Sequence, residues 1–169
     1  VEAAGKMIQI RYSLIPYLYS EFLKAALNDE MMFKPLSFDF PDDAMAEQVE
    51  DQLLLGNELM IAPIYKQNAQ GRYVYLPKEM MLVRMHSSKD YTTEILPKGH
   101  HYVSVGLDEL VFFILNQKAI PFAESAENTA KTDYNTIQLL GYEGSSYELY
   151  TDNGTSPNPE DSLTIKTLS

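Results

Sequence analysis

Residues 71–114, GRYVYLPKEMMLVRMHSSKDYTTEILPKGHHYVSVGLDELVFFI, decide the fold. Gln70-Gly71 is a turn signal, and the runs 72–77, 80–85, 91–96, 102–105 and 110–114 follow it at short, regular spacing. Each is rich in aromatic, β-branched or long apolar residues, and turn-forming residues separate them. Three more runs continue the pattern at 136–140, 147–150 and 163–167. Many short strands with no helix between them predict an antiparallel β-sandwich. The small, polar stretches 125–133 and 153–161 read as loops.

Upstream the character changes. Met7, Ile8, Arg11, Leu14, Ile15, Leu18, Phe22 and Ala25 recur at three- and four-residue steps, which predicts a helix ending near Asn28-Asp29. Pro16 lacks an amide donor and crowds the preceding turn, so a kink is expected there. Leu36, Phe38 and Phe40 alternate with polar residues and read as a strand stopped by Pro41. Asp42 or Asp43 is placed to cap a second helix running from Ala44 to about Leu55, with Gly56 just past its end. Glu58–Ile64 reads as a short buried strand. The fold class is therefore α+β, mainly β, and the helix–strand elements of residues 1–64 are too few to close an α/β sheet by themselves.

Length and composition set limits. The chain has 169 residues, 45% of them hydrophobic, enough for a real core. Its 24 acidic and 13 basic side chains give a net charge of −11. That balance disfavours nucleic acid and anionic membranes, since phosphate binding needs a basic face. A neutral sugar is compatible with it. With no cysteine, disulfides and thiolate metal sites are excluded, and a reducing cytoplasm fits. No apolar run reaches the ~20 residues that span a bilayer. Val1 replaces an initiator methionine and runs straight into a helical pattern, so the true start is expected upstream.

Several constellations invite a chemical reading, and each has a plainer one. Sugar cleavage needs two carboxyls flanking a bond. Asp42-Asp43, Glu50-Asp51 and Asp108-Glu109 are adjacent pairs, better read as a cap, a solvated helix face and a turn. His100-His101 would point to opposite faces of a strand, and neither a third clustered His nor a spaced carboxylate completes a metal site. Tyr12, Tyr17 and Tyr19 read as core aromatics, whereas Tyr142, Tyr147 and Tyr150 have the better chance of exposure. Asn153-Gly154-Thr155 matches a glycosylation acceptor, which matters only in a secretory pathway. Asp152-Asn153-Gly154 lacks the rest of a calcium loop. From the residues alone, catalytic, cofactor and metal sites are all read as none.

Four blocks carry a resemblance. Arg11–Tyr19 (RYSLIPYLY) resembles the "RY-x-LLPYLY" helix of glycoside hydrolase family 31. Lys34–Asp43 resembles its "RPL-x-x-x-FP-x-D" segment, Asp51–Ile64 its "DQ-x-x-LG-x-x-LLVAPV" segment, and Gly71–Pro77 the "R-x-VYLP" that opens its β domain. Tyr150–Gly154 is similar to a later "Y-x-DDG" turn, with Asn153 in place of an Asp. One block departs: in Phe113–Pro121, Leu115 and Gln117 stand where "F-x-R-x-G-x-IP" has Arg and Gly, so Gln117 would be strained at a position favouring positive φ.

The resemblance implies that residues 1–64 are the end of a (β/α)8 catalytic barrel. Residues 65–127 would be a proximal β-sandwich, and 128–169 the start of a distal β domain. The parent would be a retaining exo-α-glucosidase, bacterial and cytoplasmic, whose two catalytic aspartates lie on barrel strands upstream. This part would be inactive alone, reach oligosaccharide only through the missing barrel, and need no cofactor. Leu14, Leu18, Phe22, Phe38 and Phe40 would lose their partners, so self-association is expected. The alternative is a non-catalytic carbohydrate-binding or interaction sandwich.

Overall fold

The computed structural model describes residues 10–63, 70–106, 108–124, 137–154 and 157–169. Met7, Ile8, Ile64, Thr136, Thr155 and the expected loop at 125–133 lie outside them. The elements in chain order begin with α1 (Ile15–Asn28), β1 (Phe33–Pro35), α2 (Leu36–Asp39), α3 (Ala44–Gln48), β2 (Leu53–Leu55) and β3 (Leu59–Ile61). The strands then follow: β4 (Gly71–Leu76), β5 (Met80–Met85), β6 (Tyr91–Leu96), β7 (Gly99–Ser104), β8 (Leu110–Ile114), β9 (Ala119–Ala123), β10 (Ile137–Gly141), β11 (Tyr147–Thr151) and β12 (Thr164–Leu168). The architecture is mainly β, as the strand spacing predicts.

Six strands form the central sheet, in the order β1-β2-β3-β8-β5-β6, every pair antiparallel. Three antiparallel ribbons flank it: β4–β7, β9–β10 and β11–β12. Successive strand side chains face opposite ways, so a sheet covered on both faces reads as an unbroken apolar run. Met80 to Val83 in β5 shows this. Met80 and Leu82 turn to one core, with Leu54, Met60, Phe113 and the ribbon residues Val74, Leu76 and Val103. Met81 and Val83 turn to the other, with Phe112, Ile114, α1, and Ile120, Phe122 and Leu149 from the remaining ribbons.

Several expectations change at the N-terminal side. The chain is helical at residues 10–13, turns at Leu14 and resumes as α1, so the expected kink is a break (Leu14 φ −91°, ψ −4°). Pro16 thus falls in a first turn, where its missing donor costs nothing. Asp29 ends α1 in the left-handed region (φ 54°, ψ 45°). The strand expected at Leu36–Phe40 is instead the single turn α2, closed by Phe40 N–H donating to Leu36 O at 3.1 Å. Phe38 is consequently exposed. Asp43 caps α3, its Oδ1 accepting from the backbone amides of Met45 (3.0 Å) and Ala46 (3.2 Å).

α3 stops at Gln48, not Leu55, because Leu53–Leu55 enters the central sheet as β2. Gly56 therefore sits in the β2–β3 turn at φ 69°, and closes no helix. β9, which the strand spacing passed over, is buried along its length. Gln117, in the β8–β9 turn, takes φ 60°, the conformation its substitution for glycine makes costly.

Candidate functional site

The densest cluster of chemical side chains lies where α1 meets the β2–β3 turn and β11. Ser20 and Glu21 lie three and four residues beyond Tyr17, and Lys24 four and three beyond them, which brings all four to one face of α1. Tyr17 is fully buried; its hydroxyl donates to Leu55 O at 2.5 Å and accepts from the Glu58 amide at 3.1 Å. Glu21 Oε1 accepts from the Asn57 amide at 2.8 Å. Its Oε2 accepts from the Tyr147 hydroxyl at 2.5 Å and pairs with Lys24 Nζ at 3.1 Å. Lys24 Nζ in turn lies 4.0 Å from the centre of the Tyr147 ring. Ser20 Oγ accepts from the Tyr150 amide at 2.8 Å.

Glycine is required at the centre of this clasp. A Cβ on Gly56 would come within 2.6 Å of both Glu21 Cγ and the Tyr17 hydroxyl, and the positive φ disfavours any side chain there.

Two carboxyls share the buried space. Glu58 is pushed up to about 8, first by burial, then by the Glu21 charge and by a hydrogen bond it gives to Glu21. Its Oε2 is buried with no hydrogen-bond partner among the described residues. Burial pushes Glu21 up too, but the Tyr147 hydroxyl, Lys24, Glu58 and the Asn57 amide outweigh it and hold Glu21 low. The two carboxyls therefore carry one proton and one negative charge between them. Desolvation and the carboxylate also raise Tyr17 and Tyr147 well above the ordinary phenol range.

This arrangement cannot cleave a sugar. Glycosidase carboxyls stand ~5 Å or more apart so that a sugar fits between them. Here both are buried, and Glu21 is taken up by the Tyr147 hydroxyl, the Asn57 amide and Lys24. The chemistry available is fastening: a neutral acid, a carboxylate and a lysine joining helix to sheet.

The residue pairs picked out in the sequence fall elsewhere. Asp43 Oδ2 accepts from Tyr75 at 2.6 Å, which together with the two amides holds it low. Asp51 pairs with Arg72 at 2.8 Å. Glu109 accepts from the Gly106 amide at 2.7 Å and pairs with Arg84 at 3.0 Å. His100 leans on the Tyr75 ring, whereas a His101 ring nitrogen lies 2.7 Å from Pro97 O. Among the described residues no group of three metal-ligating side chains gathers. Tyr19 donates to Asp152 at 2.5 Å. Tyr147, expected among the more exposed tyrosines, is buried because its hydroxyl is committed to Glu21.

Two sequence blocks owe their form to each other. Gln52, almost fully buried, donates to Tyr75 O at 2.7 Å and accepts from Tyr75 N–H at 2.8 Å, standing in for a missing strand neighbour. Arg72 Nη1 donates to Asp51 O at 3.0 Å and Pro63 O at 2.9 Å. Asp51-Gln52 thus docks onto Arg72–Tyr75.

Such an architecture, antiparallel sheets fastened to a preceding helix, defines a β-sandwich domain. Residues 29–144 match the glycosyl hydrolase family 31 C-terminal domain, and the chain belongs to that family. It is 32% identical over 154 residues to α-glucosidase 2 of Bacillus thermoamyloliquefaciens, covering 88% of this chain and 19% of that protein. It is 30% identical over 161 residues to an α-xylosidase of Saccharolobus solfataricus, covering 90% and 21%. The fold is shared with the family 31 dextranase of Flavobacterium johnsoniae complexed with glucose, at TM-score 0.76 and 22% identity over 98% of this chain and 21% of that one. The chain spans about a fifth of the length of these relatives.

Proposed function

We propose that this chain is the C-terminal supporting part of a retaining exo-acting α-glucosidase that removes terminal α-linked glucose from oligosaccharides. Its nucleophile and acid/base aspartates would lie upstream, and the chain alone would turn over no substrate. The observation that carries this reading is the match of residues 29–144 to the family 31 C-terminal domain in a chain that spans about a fifth of its relatives. Relatives named α-glucosidase support the substrate class. Residues ahead of β1 would close a (β/α)8 barrel in the whole enzyme. Six large apolar side chains exposed between residues 12 and 45, among them Phe22, Phe33 and Phe38, would then meet the rest of the enzyme, or a second copy when that is missing. Leu14 and Leu18 pack inside this chain instead.

The test is incubation of the purified chain with a chromogenic α-glucoside, alongside a form extended upstream to include the barrel. Turnover by the extended form only is expected. Activity of the 169-residue chain above buffer would refute the reading.

A further inference from the structure

On the ribbon β4–β7, Tyr73 and Tyr102 are directly opposite each other, and both are open to solvent, 71% and 58% exposed. Their ring centres lie 5.2 Å apart in an edge-to-face arrangement, at 71°. The alternate residues Val74, Leu76 and Val103 fill the core, so the rings stand on the outer face of a firmly packed ribbon. The strand beneath the rings is held in place. Tyr102 lies across Gly71, where an added Cβ would come within 3.0 Å of its Cζ. The Tyr73 carbonyl is gripped by Arg72 Nε at 3.1 Å. Beside Tyr73 an open cleft of about 410 Å³ is lined by Gln48, Glu50, Asp51 and His100 among others.

We propose that this face is a binding site for a neutral gluco-oligosaccharide. An aromatic face is electron-rich and attracts the polarised C–H face of a pyranose. Glu50 and Asp51 can accept from sugar hydroxyls, and Gln48 and His100 can donate to them. Arg72, the one guanidinium lining the cleft among the described residues, is already paired with Asp51 at 2.8 Å, which leaves no free arginine or lysine there for a phosphate-bearing ligand. Two rings bordered by charged and polar groups make too small an apolar patch for a stable protein interface. A tyrosine has only two side-chain torsions to fix, so it loses little entropy on binding. Only the choice of α-linked glucan rests on the reading proposed above.

The test is titration of the chain, carrying ring-labelled tyrosine, with maltotriose, isomaltotriose and, as a β-linked control, cellotriose, followed by NMR. Of the twelve tyrosines, Tyr73 and Tyr102, assigned by their loss in the Y73A and Y102A variants, should shift saturably with the α-linked sugars. Each variant should weaken binding about tenfold or more, the order expected for one lost stacked ring. Unmoved Tyr17 and Tyr147 signals would show that the variants remain folded. No shift at tens of millimolar sugar, or wild-type binding by both variants, overturns the site. Tyrosine-dependent binding of cellotriose in preference to both α-linked sugars overturns the α-glucan assignment. Absence of turnover by the upstream-extended form would count against the parent activity alone, leaving the site to stand or fall by the titration.

Discussion

Replacing Glu58 by Gln is the sharpest probe of the clasp. The amide can donate to Glu21 as the protonated acid does, but it never titrates. In the wild type the folded value of Glu58 lies above its unfolded one, so its contribution is fully present below the ordinary 4.5 and is lost as pH rises towards 8. Glu21 has the opposite sign: its folded value is depressed, and its contribution is lost as pH falls. Stability from the pair should therefore be greatest just above the ordinary glutamate value. From 4.5 to pH 7 the folded state retains a proton that the unfolded chain releases. At about 1.4 kcal/mol per pH unit, this costs the native state about 3 kcal/mol at pH 7. E58Q should lose that cost and be more stable than wild type by up to that amount at pH 7, with little difference at pH 5. Urea unfolding followed by circular dichroism at pH 5, 7 and 8.5 measures it. An E58Q chain whose stability still declines as steeply as wild type over that range would refute the shared proton.

The remaining predictions concern single positions. Glu21→Gln should cost about 3–5 kcal/mol at pH 7, since it leaves Lys24 without its buried partner, readable in the same unfolding curves. Gly56→Ala should destabilise by about 3 kcal/mol or more, because backbone strain and overlap with Tyr17 and Glu21 add together; the urea midpoint would fall. Gln117→Gly should raise stability by about 1 kcal/mol by relieving the left-handed conformation, seen as a higher thermal midpoint. Gln52→Ala should cost about 2–4 kcal/mol by stranding the buried Tyr75 amide and carbonyl, and should speed hydrogen exchange at Tyr75.

The β half of the chain was legible because its strands are separated by clear turn residues. β5, β6 and β8 fall on the residues that the spacing indicated. The errors lie where local pattern and tertiary pairing disagree. Leu53–Leu55 is as apolar as a helix face, and only its pairing with Leu59–Ile61 makes it a strand. Leu36, Phe38 and Phe40 alternate like a strand, yet Phe38 is solvent-exposed in a helical turn. β9 contains Pro121, which argues against an interior strand, and it is tolerated in a two-stranded ribbon. The clasp was hidden because Glu21, Glu58 and Tyr147 are far apart in sequence. One signal was present: Glu21 lies one helical turn beyond Tyr17 and one turn before Ala25, on the apolar stripe of α1, where a carboxylate requires partners.

The pairing of β3 with β8 joins Leu59 and Met60 to Ile114 and Phe113, across more than fifty residues of intervening chain. Until those distant segments meet, β8 has only one neighbour, β5. A shortened chain beginning at residue 65 would keep that half-finished edge permanently, its Phe112–Ile114 backbone free to recruit strands from other molecules. Such a chain should precipitate or form fibres where the longer one remains dispersed.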